Sequence, residues 1–162
     1  MMHRDSSSAF AALTPDRVLD LVEPVAGERC SSICRPLNSY INRVYEVATE
    51  AGRPLVAKFY RPGRWSEAAL HAEMTFLTEL HEAEVPVIPP LKNQSGDGLQ
   101  QADDLFFAVF PRMGGRICDE PSDDQWLELG RLLARVHTVG ARTAAPARVA
   151  WTPRGVTRRQ AD

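Results

Sequence analysis

The amino-acid sequence predicts an α+β fold in which a small antiparallel sheet is covered by one main helix. Two observations support this class. Residues 40–47 and 55–60 are rich in aromatic and β-branched side chains, and the turn sequence Ala-Gly-Arg-Pro at 51–54 separates them, as in an antiparallel hairpin. Residues 66–80 then carry apolar side chains at the spacing of one helical face. A linker and a further helix follow this unit.

A first helix precedes the hairpin. Thr14 can cap it, and Pro15 suits its first position because a missing N–H costs nothing there. Gly27 is placed to end it. The apolar face of this helix has i, i+3, i+4, i+7 spacing and consists of Val18, Leu21, Val22 and Val25.

The main helix is expected to begin after Ser66 and to end before Pro86. An extended, proline-rich connection follows, and a turn at residues 94–98 is predicted to join two strands. The second of these strands, residues 105–110, is apolar throughout, as expected of a strand that is covered on both faces.

The last regular element is a helix that begins at Ser122, which has capping-box spacing to Gln125, and that Gly140 stops. Its apolar positions are Trp126, Leu129, Leu132, Leu133 and Val136. The chain thus divides into a sheet-and-helix lobe at 1–110, a linker at 111–121, a helix at 122–140 and an irregular tail at 141–162. The tail has no apolar period, so no structure is predicted for it.

Composition excludes several classes of function. A net charge of -2 argues against a general nucleic-acid binder, because phosphate neutralisation needs a cationic excess. No apolar run approaches 20 residues, and the first residues lack a secretory signal, so we expect a cytoplasmic protein without a membrane span. The odd cysteine set (Cys30, Cys34 and Cys118) and the histidine spacing favour reduced thiols and no protein metal site.

The residues with most chemical interest are Lys58 and Glu73. Lys58 lies in a predicted strand with no plainly polar face, and Glu73 lies on the helix face that should be buried. A buried ammonium is unfavourable without an anion, so the two could pair. The pair would leave the lysine placed to contact phosphate oxygens, as phosphoryl transfer requires. The alternative from spacing alone is that Lys58 reaches solvent and Glu73 is partly exposed.

Two further stretches could contact a nucleotide. Ser39 and Asn42 lie one hairpin before Lys58, and their side chains could contact phosphates, although a polar hairpin corner would look the same. The backbone at Phe110 could hydrogen-bond an adenine edge while Met113 packs on the ring, or this is an ordinary loop. There is no GxGxxG or GxxxxGK[ST] sequence.

Several segments together resemble the N-terminal lobe of the stress response kinase A family, within the wider group of aminoglycoside-phosphotransferase-like kinases. The most specific are LNSYINRVY at 37–45 and VAKFYRPGRW at 56–65. The segment LGRLLARVH at 129–137 resembles the helix after the hinge of that family. The resemblance covers roughly residues 10–150.

The resemblance implies a protein-kinase-like N-lobe with its hinge and the first helix of a C-lobe. It also implies ATP-dependent phosphorylation of protein Ser/Thr residues with Mg²⁺, and a role for Lys58–Glu73 as the ATP-positioning pair. Ser39, Asn42, Phe110 and Met113 are then candidate nucleotide contacts. The family's HGDxHxxN-like loop and its later metal-binding Asp are absent from the 162 residues, so no catalytic or metal-binding residue is assigned.

We therefore expect the N-terminal part of a stress response protein kinase that is inactive alone and exposes apolar surface on the linker side and on the helix after it. Two alternatives remain open. One is a non-catalytic regulatory module that pairs with a full-length kinase. The other is part of a small-molecule phosphotransferase of the aminoglycoside type.

Overall fold

The elements of the structure, a computed structural model that describes residues 10–115 and 118–148, confirm the predicted α+β class. Their order is α1 Pro15–Ala26, β1 Cys30–Leu37, β2 Arg43–Thr49, β3 Pro54–Phe59, α2 Glu67–Glu82, β4 Gln100–Ala102, β5 Leu105–Pro111 and α3 Asp123–Gly140. Residues 149–162 of the predicted tail, and the first nine residues of the predicted lobe, lie outside the described part.

The five strands form one antiparallel sheet in the order β1-β2-β3-β5-β4. The predicted hairpin is β2–β3, in which Val44 lies opposite Lys58. Its first strand begins at Arg43 rather than Tyr40, because residues 38–42 form the connection from β1. β1 itself was not predicted, since CSSICRPL lacks a clear apolar alternation and most of its side chains are exposed or half-buried.

The central strand β3 divides the core in two. Its side chains Leu55, Ala57 and Phe59 are fully buried in the cluster that α1 completes. On the other face, Tyr60 belongs to a second cluster with Leu70 of α2. Because side chains alternate along a strand, Lys58 shares the face of Tyr60 and points to the α2 side. The sheet is thus covered on both faces, by α1 as well as by the predicted main helix.

The predicted helix starts are confirmed by their caps, whereas α3 includes Gly140, its predicted stop, and is capped at Ala141. Thr14 Oγ1 accepts from the Arg17 amide at the start of α1, and Gly27 ends that helix with φ of 73°, a conformation that suits glycine. Ser66 Oγ accepts from the Ala69 amide at the start of α2. At α3, Ser122 and Gln125 form the predicted capping box.

The predicted turn at residues 94–98 exists, but it does not join two strands. The chain before it is irregular, and the turn leads into β4. The hairpin turn between β4 and β5 is Asp103-Asp104, in which Asp103 has φ of 52°. Aspartate tolerates the left-handed region better than most residues, which explains a tight turn without glycine.

The apolar face of α3 is largely uncovered within the described residues. Its end packs on the end of α2 through Val139, and Arg135 donates to the carbonyls of Ala83 and Glu84. The large side chains toward its start are more than half exposed: Trp126, Leu127, Leu129 and Leu133. This confirms the exposed apolar surface that the sequence predicts. In the described part of the chain, no helix combines the length and apolarity needed to cross a membrane.

Candidate functional site

Lys58 and Glu73 form the ion pair that the sequence suggests. The Lys58 Nζ atom lies 3.0 Å from Glu73 Oε1, so the pair joins strand β3 to helix α2. The lysine side chain is 29% exposed and that of the glutamate 26%. The pair is therefore shielded enough for its charges to interact strongly while the ammonium keeps access to a ligand.

Tyr60 completes this site, and the sequence analysis missed it. Its hydroxyl donates to the same Glu73 Oε1 over 2.9 Å, and its ring centroid lies 4.4 Å from Lys58 Nζ. The contact between the ammonium and the ring is a cation–π interaction. Strand alternation was the available signal, because a residue two places after Lys58 must lie on the same face of the sheet.

The direction of the pKa shift shows that Glu73 is held as an anion. Burial would raise the pKa of Glu73, but the Lys58 charge, hydrogen bonds from Lys58 and Tyr60, and the Arg148 charge outweigh burial and lower it. Burial raises the pKa of Tyr60 strongly, and the Glu73 charge and hydrogen bond add to that shift. The site therefore consists of a carboxylate, an ammonium and a phenol that keeps its proton as a donor.

The lowered pKa of Glu73 predicts an acid-dependent loss of stability. Its contribution is complete above the ordinary carboxyl pKa of 4.5 and declines as the pH falls toward the lower folded-state value. Urea unfolding across this range should show that the wild type loses more stability than Glu73→Gln. Glu82→Gln, at an exposed position on the same helix, should follow the wild type. Parallel curves for wild type and Glu73→Gln would contradict this role of the carboxylate.

Asn42, one of the two polar residues before β2, bonds to the chain after β3 rather than to Lys58 or Glu73. The Asn42 side-chain oxygen accepts from the Arg61 amide over 3.3 Å and so ties the connection between β1 and β2 to the end of β3. Ser39 is half-buried in the same connection. The Asn42 side-chain oxygen is thus used in a structural hydrogen bond, and the amide nitrogen is the atom available to donate to a ligand.

The two residues suggested for an adenine ring differ in exposure. Phe110 is partly buried, lies opposite Val56 on β3 and packs against the second core cluster. Met113 follows β5 and is 66% exposed. Its side chain is therefore available on the linker rather than fixed in the core.

The other residue that the sequence did not reveal is Arg148. Its guanidinium Nη1 atom lies 3.5 Å from Glu73 Oε2, although the two residues are far apart in sequence. A single arginine in an irregular segment rich in Ala, Thr and Pro carries no pattern that predicts such a contact. Among the described residues, no group of three or more His, Cys, Asp or Glu side chains could hold a metal ion.

Comparison with known proteins shows the family and the fold of the chain. The sequence pattern described as "Phosphotransferase enzyme family" matches residues 33–161 of the chain. The chain belongs to the phosphotransferase enzyme family. Lys58, Glu73 and Tyr60 lie within the residues that match this family, and the predicted relationship to aminoglycoside-phosphotransferase-like kinases is confirmed.

Individual phosphotransferases show the same relationship. Stress response kinase A of Shigella flexneri and of Escherichia coli strain K12 are each 40% identical over 136 residues, which are 84% of this chain and 41% of the relative. Serine/threonine protein kinase RdoA of Salmonella typhimurium strain LT2 is 39% identical over a stretch of the same length. The chain thus spans about two fifths of the length of these relatives.

Solved phosphotransferase structures share the fold. Amicoumacin kinase hAmiN, in complex with AMP-PNP, Ca²⁺ and Ami, matches with a TM-score of 0.68 and 20% identity over 94% of this chain and 45% of its own. Spectinomycin phosphotransferase APH(9)-Ia, in complex with ADP and spectinomycin, matches with a TM-score of 0.61 and 15% identity over 76% of this chain and 37% of its own. These similarities establish the kinase-like architecture that the sequence predicts.

Proposed function

We propose that this lobe binds the phosphates of ATP through Lys58 in an ATP-dependent kinase. The observation that carries the proposal is the 3.0 Å contact between Lys58 Nζ and Glu73 Oε1, in a site that leaves the lysine side chain partly exposed. An ammonium held by a carboxylate fits a polyphosphate, because phosphoryl transfer depends mainly on positioning and on neutralising negative charge. The family membership of the chain supports this assignment.

Each residue of the site has a separate task in this proposal. Glu73 fixes the direction of the Lys58 ammonium, which neutralises oxygens of the nucleotide phosphates. Tyr60 holds Glu73 and limits the access of water to the pair, since it is only 2% exposed. Asn42 and Ser39 add polar contacts to the phosphates, and Phe110 and Met113 lie at the adenine end.

ATP would arrive with Mg²⁺, which is commonly bound through the substrate phosphates rather than by an all-protein cage. The metal would supply charge neutralisation at the phosphate oxygens. The described residues contain no acidic cluster for it, so we assign it no protein ligand here. The site therefore fits the nucleotide directly and the metal only through the nucleotide.

We propose that the complete protein is a stress response kinase that transfers the γ-phosphoryl group of ATP to protein Ser/Thr hydroxyls in the cytoplasm. The name of the 39% identical relative, serine/threonine protein kinase RdoA, supports this substrate class, and the lobe without a catalytic loop is then inactive alone. A small-molecule hydroxyl is the second candidate, because the structurally similar proteins include amicoumacin and spectinomycin kinases. The exposed face of α3 favours a third, a binding module that pairs with a full-length kinase.

Translation of the encoding DNA beyond codon 162 in all three frames tests the proposal. We expect an HGDxHxxN-like loop about 50 to 60 codons downstream, the distance that the resemblance to the kinase family implies. The protein restored in that frame should transfer labelled phosphate from ATP to Ser/Thr residues of a protein mixture. Transfer only to an aminoglycoside would favour the small-molecule candidate. Absence of the loop from every frame would overturn the catalytic proposal and favour the binding module.

A further inference from the structure

The segment that follows α3 returns along α2 and brings a second cation to Glu73. The C-terminal end of α3 packs against the C-terminal end of α2. Arg148 Nη1 nevertheless lies 3.3 Å from the Ala69 carbonyl and 3.5 Å from Glu73 Oε2, both in the first half of α2. Residues 141–148 therefore run back along α2 toward its start.

The two oxygens of the Glu73 carboxylate have different partners. Oε1 accepts from Lys58 over 3.0 Å and from Tyr60 over 2.9 Å, whereas Oε2 faces the guanidinium of Arg148. A carboxylate that is held at both oxygens cannot rotate without losing one set of contacts. The Ala69 carbonyl, one helical turn earlier, receives the same guanidinium, so Arg148 bridges the helix backbone and the glutamate side chain.

We propose that Arg148 is a positioning residue that fixes Glu73, and through it the Lys58 ammonium, when the segment after α3 lies against α2. The proposal rests on the function proposed for Lys58. The orientation of the Lys58–Glu73 pair then depends on the chain beyond the linker, because the Arg148 contact forms only when residues 141–148 lie against α2. Arg148 acts on the nucleotide only through Glu73.

The opposite possibility is that Arg148 competes with Lys58 for the carboxylate. The geometry favours support, because the two cations approach different oxygens and the Lys58 contact is 3.0 Å long, a good hydrogen-bond distance, with Arg148 in place. The groups that face Glu73 are Lys58, Tyr60 and Arg148. Arg148 is 46% exposed, so a modest effect is expected from its removal.

The first test measures the pKa of Glu73 in the 162-residue chain by NMR of its ¹³C-labelled side-chain carboxyl, assigned with Glu73→Gln. The pKa should rise in Arg148→Ala and return toward the wild-type value in Arg148→Lys, which keeps the charge. It should not change in Arg142→Ala, which removes an exposed arginine from the same segment. An unchanged pKa in Arg148→Ala would overturn the proposal.

The second test measures the reactivity of Lys58 toward an ATP analogue that carries an acyl group on its terminal phosphate. A lysine amine held against the phosphates attacks the acyl carbon, forms an amide and releases ATP, and the amine proton passes to solvent. Arg148→Ala should slow this reaction at Lys58 about twofold to fivefold. Lys92, the other lysine of the chain, should react at an unchanged rate and serves as the internal control.

The two tests separate this inference from the function on which it rests. Faster acylation of Lys58 in Arg148→Ala would show competition and overturn the positioning role. Failure of the analogue to acylate Lys58 in the wild type would contradict the proposed nucleotide site. The pKa of Glu73 needs no nucleotide, so in that case it still decides whether Arg148 holds the carboxylate.

Discussion

Replacement of Lys58 by methionine is expected to lower phosphoryl transfer about a hundredfold to a thousandfold, the typical effect of removing one preorganised group that stabilises charge. Methionine keeps much of the apolar stem beside Tyr60 but removes the ammonium that lies 3.0 Å from Glu73 Oε1. The variant should also lose some stability, because Lys58 helps to hold Glu73 as an anion, so transfer is compared at a temperature at which circular dichroism shows both proteins folded.

A chimera makes this measurement possible. Residues 10–148 can replace the matching region of stress response kinase A from Escherichia coli, which is 40% identical over 136 residues. Phosphate transfer from ATP is then compared among the chimera, its Lys58→Met variant and its Lys92→Met variant. Lys92 is exposed and should tolerate the change. Retained activity in Lys58→Met, with an active parent chimera, would contradict the role of Lys58.

Replacement of Phe59 by alanine is expected to lower the free energy of unfolding by about 3–5 kcal/mol, the usual cost of removing a buried phenyl ring. Phe59 is fully buried, stacks on Phe107 with a centroid distance of 5.2 Å and meets Tyr45 edge-on at 5.9 Å. Because domains of this size are stable by only about 5–15 kcal/mol, a loss of this size is a large fraction of the total stability.

Chemical denaturation followed by circular dichroism checks this prediction. Tyr40→Ala is the matched control, because this aromatic side chain is completely exposed and its removal leaves no cavity. Phe59→Leu should lie between the control and Phe59→Ala, since leucine fills much of the space. Equal unfolding midpoints for Phe59→Ala and Tyr40→Ala would show that the core is not organised around this ring.

Local sequence patterns predicted much of this fold because capping and turn residues mark where its elements begin and end. Thr14, Ser66 and Ser122 each precede a helix and accept from its first turn in the structure. The Ala-Gly-Arg-Pro turn likewise fixed the hairpin that carries Lys58. These signals act over a few residues, so they can be read from the sequence without knowledge of tertiary contacts.

The pairing of Lys58 with Glu73 could be suggested because each is a charged residue at a position where the sequence pattern predicts burial. A lysine in an apolar strand and a glutamate on a buried helix face both need a partner. Tyr60 was overlooked although alternation places it beside Lys58. The sequence does not show which acceptor the Tyr60 hydroxyl finds, and only the position of α2 shows that it donates to Glu73.

The features that could not be predicted depend on distant parts of the chain. β1 is a strand because its backbone pairs with β2, not because its own side chains alternate between buried and exposed. Arg148 reaches Glu73 because α3 packs on the end of α2 and the segment after α3 runs back along α2. No local sequence pattern encodes that geometry, so the contact between Arg148 and Glu73 can be seen only in the tertiary structure.

The most direct test of the central claim is acylation of the wild-type chain by the acyl-phosphate analogue of ATP, followed by mass spectrometry of its two lysines. We predict acylation of Lys58 well above that of Lys92, and its suppression by excess ATP. Equal acylation of the two lysines, or acylation of Lys58 that ATP does not suppress, would contradict a nucleotide site at the Lys58–Glu73 pair.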